Sequence, residues 1–249
     1  MKIRRKSPVS LISTEPQHCS LDLRLKILGR LTFFAGLPRA GLEAINRLFV
    51  EVGYESGEWV YTAGEPAEWL YVVAEGKIKI LQHGPNGRSV LLDILTTGEF
   101  FGDLSLSGGA LYPDTAQAQA PACVLRMRSN AFRQVLDEHP GLALKTLQVM
   151  AERLNMANGR VLQVSSMTVD KRIAFTILGL GRKFGRSKEG LLLIDVPLSR
   201  DDLAEMTATT PETVSRVMSH LQAAGVVESG RQWVGIKDLN ALENIAGEA

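Results

Sequence analysis

The chain has 249 residues, 45% of them apolar, and its 28 Lys and Arg against 27 Asp and Glu leave a formal net charge of +1. That balance excludes a protein that grips nucleic acid by bulk charge, but leaves room for a local DNA-reading face. Its two cysteines, Cys19 and Cys123, are too few for a disulfide framework and point to a reducing compartment, the cytoplasm. No apolar run approaches the ~20 residues that span a bilayer, so no membrane role is expected.

Residues 1–20 carry Ser, Pro, Thr and basic residues without periodicity, and the opening "MKIRRKSPVSLIS" lacks the apolar stretch of a signal peptide. A loose N-terminal arm is expected there. "LDLRLKILGRLTFFAGL" and "PRAGLEAINRLFVEV" have helical spacing, with Leu42, Ile45, Leu48 and Phe49 on one stripe. From Gly53 short β-prone runs follow: "EWVYT", "WLYVVAE", "KIKILQ", "SVLLDIL" and "ACVLRMR". Gly57, Gly64, Gly76, Gly87 and Gly98 punctuate them. Such spacing predicts a β-barrel or sandwich whose glycines serve turns of positive φ. "FFGDLSLSGGALYPDTAQA", residues 100–118, looks like a turn shaped for a phosphate.

After His139-Pro140 the pattern turns helical for about thirty residues. Leu147, Met150, Leu154, Ala157, Val161, Val164 and Thr168 alternate spacings of three and four, the a/d seam that two parallel helices share. Lys145, Glu152, Arg153 and Arg160 mark the other faces as solvated. The same stripe also suits a long helix packed on its own domain. Asn158-Gly159 within it weakens the helix by roughly 1 kcal/mol at the glycine. "DKRIAFTILGLGRKFG" is an amphipathic helix with Ile173, Ile177, Leu178 and Leu180 inward, and "LLLIDVPL" is strand-like.

"SRDDLAEMTATTPETVSRVMSHLQAAGVV" predicts two short helices and a tight turn. Ser199 N-caps the first, with Asp202 completing a capping box, and Thr210 caps a second that starts at Pro211. Leu203, Met206, Val214, Val217 and Leu221 bury between them, leaving Glu212, Ser215, Arg216 and Ser219 outward. A helix-turn-helix lays its second helix in the DNA major groove. There an Arg grips guanine and a Glu accepts from cytosine. An ordinary helical hairpin with a surface Glu–Arg pair fits equally well in isolation. The hairpin "VVESGRQWVGI", turning at Ser229-Gly230, stands at the position of a wing and favours DNA.

These motifs, in this order, resemble the bacterial CRP/FNR family of transcription regulators over nearly the whole chain after residue 20. "GEPAEWLYVVAEGKIKI" resembles the family's β-roll and "FFGDLSL" the start of its cyclic-nucleotide cassette. "RLNMANGRVLQVSSMTVDKRIA" falls where the dimer helix meets the DNA domain, and "PETVSR" resembles the recognition helix. The resemblance implies an α+β fold: an N-terminal β-roll (a cyclic-nucleotide-binding-like jelly roll), a long dimerisation helix and a C-terminal winged helix-turn-helix. The expected divisions are an arm 1–20, a sensor domain 21–138, a dimer helix 139–169 and a DNA-binding domain 170–249. Glu212, Ser215 and Arg216 match the E-x-x-S-R pattern of the FNR branch, which implies a TTGA-type half-site in a palindromic operator. Thr210, Thr213, Ser229 and Arg231 are the expected phosphate contacts. Ala208 departs from the glycine common in the inter-helix turn. A homodimer that works with RNA polymerase is the implied role, as an activator or as a repressor.

The effector region departs further. Gly102, Asp103, Asp114, Thr115 and Asn158 are the candidate pocket residues. The family's cyclic-nucleotide binders carry an Arg where this chain has Asp114. Two carboxylates, Asp103 and Asp114, would then face a cyclic phosphate, at about 4 kcal/mol for a like-charge pair ~4 Å apart in a surface-like dielectric. Ala157 and Asn158 stand where hydroxyls are expected. Cyclic AMP in the usual mode is disfavoured unless a Lys or Arg from elsewhere replaces the missing cation. Two cysteines fall short of an iron–sulfur cluster's four ligands. Haem stays open, with His18, Cys19 and His83 as candidate ligands, as do an atypical nucleotide and the absence of any effector. Cys123 is expected to be a buried hydrophobe. A cyclic-nucleotide module without a DNA role is the alternative class. No nucleophile–base cluster or P-loop suggests an enzyme.

Overall fold

The computed structural model describes residues 8–9, 20–84, 87–102 and 109–247. Asp103, His18 and Cys19 therefore lie outside the described residues. The chain divides into two compact units, one of Ile12–Ala157 and one of Met1–Leu11 with Asn158–Ala249. The architecture is α+β, as expected.

The first unit opens with α1 (Leu21–Arg30), capped by the Ser20 side chain, and α2 (Arg39–Asn46). Eight strands follow: β1 (Val50–Tyr54), β2 (Trp59–Tyr61), β3 (Trp69–Glu75), β4 (Ile78–His83), β5 (Ser89–Leu95), β6 (Phe100–Gly102), β7 (Thr115–Ala118) and β8 (Ala122–Arg128). They form two antiparallel sheets, ordered β1-β8-β3-β6 and β2-β7-β4-β5. α3 (Ser129–Glu138) and α4 (Pro140–Ser166) come next.

The near-continuous apolar run of β3 has a physical cause. Its side chains alternate between two buried faces. Leu70, Val72 and Ala74 pack under the helices with Phe33, Phe34, Phe132, Leu125 and Met127. Tyr71 and Val73 face the other sheet with Tyr61, Phe101, Tyr112 and Val124. Edge-on ring contacts join Phe33 to Phe34, Phe100 and Phe132 at centroid separations of 4.6, 5.0 and 5.6 Å. Leu142 and Val149 bring the first turns of α4 into the helical core. Gly57, Gly64, Gly76, Gly87 and Gly98 all have positive φ. At Gly76 a Cβ would also lie 2.4 Å from the Pro121 carbonyl oxygen, so no side chain fits.

The second unit contains α5 (Val169–Phe184), β9 (Gly185–Lys188), β10 (Leu191–Ile194), α6 (Arg200–Thr207), α7 (Pro211–Ala223), β11 (Val227–Gly230), β12 (Trp233–Ile236) and α8 (Leu239–Ala246). Its strands form one antiparallel sheet in the order β11-β12-β10-β9. Ile173, Ile177, Leu178 and Leu180 of α5 are buried, as their spacing predicts.

Four expectations need correction. "PRAGLEAINRLFVEV" is not one helix: α2 stops at Asn46, Leu48 is exposed, and Val50 starts a strand paired with Arg126 of β8. Residues 100–118 are not one turn, because both ends are strands, β6 against β3 and β7 against β2 and β4. The wing turns at Arg231-Gln232, not Ser229-Gly230. Gly230 pairs with Trp233, and Gln232 takes the positive φ. Gly230 is small for another reason: a Cβ there would meet Trp233 Nε1 at 2.3 Å. Finally, Lys145 and Arg153 do not belong to a solvated face. Both are half-buried and donate to backbone carbonyls of the β-roll unit, at Ala35 and Phe100.

Candidate DNA-reading face and effector region

The helix-turn-helix forms as its local signals require. Ser199 accepts from Asp202 N–H at 3.0 Å, and the Asp202 carboxylate accepts from Ser199 N–H at 2.8 Å, which closes the capping box of α6. Thr210 accepts from Thr213 N–H at 3.3 Å to cap α7, with Pro211 in its first turn. Leu203, Val214, Val217 and Leu221 are buried between the helices together with Met218, while Met206 is half-buried.

Ala208 caps α6 in the left-handed conformation, at φ 50° and ψ 51°. This is the role a glycine would fill, and an L-residue there costs roughly 1–2 kcal/mol. Ala208→Gly is expected to stabilise the protein by about 0.5–1 kcal/mol, since glycine's greater freedom when unfolded takes back part of the gain. A calorimetric melting midpoint that falls instead of rising would refute this.

Glu212, Ser215, Arg216 and Ser219 are exposed on one face of α7. The Glu212 carboxyl lies below its ordinary pKa, because its own backbone N–H and the Thr210 hydroxyl donate to it. It is therefore an ionised acceptor at neutral pH. Among the described residues no ion pair joins it to Arg216, which leaves the guanidinium unengaged at the surface. The Thr210 and Thr213 hydroxyls lie 3.3 Å apart at the helix start. Arg231 is exposed in the wing loop. Ser229 is partly engaged: its hydroxyl accepts from Arg200 at 2.7 Å and its carbonyl from Gln222 at 3.1 Å. Those bonds tie the wing to α6 and α7. Arg200 carried no sequence signal, because its role depends on the strand brought beside it.

On α4, Leu147, Leu154, Val161, Val164 and Ala157 are exposed, whereas Met150 packs against its own core. Leu144, Met156 and Leu162 are exposed outside that stripe.

In the β-roll, Tyr61 donates its hydroxyl hydrogen to Asp114 Oδ1 at 2.8 Å. Burial pushes the Asp114 carboxyl up from its ordinary value, against the Tyr61 hydrogen bond and the Arg153 charge, which favour ionisation. Thr115 accepts from Ala63 N–H at 3.0 Å. Gly102 has φ 87° and approaches the Trp69 carbonyl, where a Cβ would lie 2.6 Å away, so packing accounts for it. Asn158 is exposed. Arg153 stacks over the Phe100 ring at 3.7 Å, within the fields of Asp93, Glu99, Tyr61 and Asp114. Its charge acts on the Asp114 carboxyl and favours ionisation there. Cys123 is buried, and His83 ends β4 with Nδ1 3.0 Å from Ser89 Oγ.

A β-roll followed by a capped helix-turn-helix and a wing defines a DNA-binding transcription regulator. Residues 51–139 match the family model of the cyclic nucleotide-binding domain, and residues 171–245 that of the Crp-like helix-turn-helix domain. A CRP-like cAMP-activated global transcriptional regulator of Mycobacterium tuberculosis is 27% identical over 217 residues, 87% of this chain and 97% of that protein. The transcriptional regulator LdrP of Thermus thermophilus is 29% identical over 194 residues, 77% of this chain and 94% of that protein. A solved CRP-family regulator, also from Thermus thermophilus, has a TM-score of 0.67 at 25% identity, covering 80% of this chain and 97% of that one. The chain belongs to the CRP/FNR family of transcription regulators. No helix among the described residues is long and apolar enough to cross a membrane.

Proposed function

We propose that the protein is a cytoplasmic homodimer that reads a TTGA-type inverted repeat and acts with RNA polymerase. The observation that carries this reading is the exposed Glu212–Ser215–Arg216 face at the start of a capped α7. Arg216 is suited to guanine O6 and N7, and ionised Glu212 to cytosine N4. Thr210, Thr213 and Arg231 flank that face as phosphate donors, with Ser229 bracing the wing. Leu147, Leu154, Val161 and Val164 form the seam of the dimer. The working divisions are an arm 1–20, a sensor domain 21–138, a dimer helix 139–169 and a DNA-binding domain 170–249.

Cyclic AMP in the usual mode is disfavoured, because the Asp114 carboxylate stands where a phosphate-binding Arg would and is already engaged by Tyr61. Arg153 supports a second reading, an effector-gated protein that takes an atypical nucleotide, with this guanidinium as the phosphate partner. The relative from Mycobacterium tuberculosis is cAMP-activated, which makes the nucleotide worth testing directly. Gel-shift titration on a TTGA inverted repeat, with and without cyclic AMP, separates these cases. Selective binding of the repeat with no response to the nucleotide is expected. Equal affinity for a scrambled duplex would overturn the DNA reading. A saturable nucleotide response would overturn the effector-independent one.

A further inference from the structure

We propose that Arg172 is a positioning residue that fixes the recognition helix to the end of the dimer helix; this rests on the dimeric, palindrome-reading function above. Arg172 lies in the first turn of α5 and is half-buried. Its Nε donates to the Thr207 carbonyl at 2.9 Å, and its Nη1 to the Met167 carbonyl at 3.0 Å, with Val164 O at 3.5 Å. Thr207 is the last residue of α6, and Val164 and Met167 belong to the last turn and exit of α4.

Carbonyls at a helix C-terminus lack intrahelical donors and concentrate the negative end of the helix dipole. At α6 the need is specific. The chain enters the left-handed conformation at Ala208, and the next two amides, of Ala208 and Thr209, both return to the Ala204 carbonyl. The Thr207 carbonyl is left for Arg172. One planar guanidinium thus caps two helices at once, using donors that point in different directions.

The position of this clasp gives it a function. On one side it holds the turn from which α7 departs. On the other it holds the turn of α4 that carries Val161 and Val164 of the proposed seam. All of these residues belong to the same compact unit, Asn158–Ala249. The direction of the recognition helix is therefore referred to the seam through this side chain as well as through α5 itself. The separation of two recognition helices across a dimer axis, and so the preferred half-site spacing, follows from that reference.

The test compares the full-length protein with Arg172→Ala and Arg172→Lys on an inverted repeat whose spacer is varied one base pair at a time, and on a single half-site. The wild type should prefer one spacing. Arg172→Ala should bind that spacing roughly tenfold more weakly and discriminate poorly among spacers, with half-site affinity changed less than about twofold. Arg172→Lys keeps the charge without the fork and should move the same way by less; complete recovery would overturn the proposal. Without DNA, amide exchange at residues 164–168 and 207–210 should quicken together in Arg172→Ala while β3 is unchanged. Exchange that does not quicken would overturn the clasp. A spacing preference that survives Arg172→Ala would overturn its positioning role alone. A wild-type protein that binds one half-site as tightly as the repeat would overturn the dimer reading and the spacing role with it.

Discussion

Leu154→Glu is expected to turn the proposed dimer into a monomer and to weaken binding to an inverted repeat by about a hundredfold or more. Leu154 is 62% exposed in the isolated chain, between Leu147 at 67% and Val161 at 66% on the same stripe of α4. Apolar side chains spaced this way gain only if a second surface covers them, and an identical helix does so with an a/d seam. A carboxylate at this position is harmless in the monomer, because water solvates it. In the dimer two carboxylates would lose that water beside each other, at a cost of several kcal/mol per ion. Loss of the dimer removes the second head, so the repeat is bound no better than one half-site. Sedimentation equilibrium and gel shift measure both effects. Asn155→Glu, one residue off the stripe, is the matched control and should change neither. A Leu154→Glu protein that sediments as a dimer would refute the seam.

Arg216→Ala should lose about 1–3 kcal/mol of operator binding and relax selectivity at a single base pair. The cause is the removal of a forked donor matched to guanine's two acceptors, at a position where no protein group competes for it. Affinity for unrelated DNA should change little, since a base contact adds nothing to non-specific binding. Arg231→Ala provides the contrast: it should weaken binding to every sequence similarly and reduce the salt slope by about 1. A selection experiment over the half-site measures both. If Arg216→Ala leaves the preferred sequence unchanged, the assignment of base-reading residues fails.

The two ends of the chain differed in how legible they were. In the DNA-binding unit, Ser199, Asp202, Thr210 and Pro211 act within four residues of themselves, so their spacing was enough to predict both caps and the helices they start. The strands "WLYVVAE" and "ACVLRMR" were legible to the residue because both their faces are buried over most of their length, and "SVLLDIL" was legible from its β-prone apolar residues although Val90 is exposed. β1, β6, β7 and β9 were not. They are three to five residues long, too short for a period-two pattern to separate from turns or helix ends, and they are strands because a neighbour pairs with them. α3 and α8 were missed as well; each is a short amphipathic helix whose apolar stripe acquires meaning only from the core beneath it.

Local chemistry along the sequence determined the family, the order of its parts, the caps of the helix-turn-helix and the outward face of α7. Each of these is set by residues close together in the chain. Tertiary structure alone decided what the long cationic side chains do. Arg153, Arg172 and Arg200 sit on helices where a charge ordinarily means solvent. Yet their guanidiniums reach Phe100, Thr207 and Ser229, which lie 53, 35 and 29 residues away. An arginine carries its donors several bonds from its backbone, so its partner is chosen by whichever carbonyl or hydroxyl the fold brings within reach.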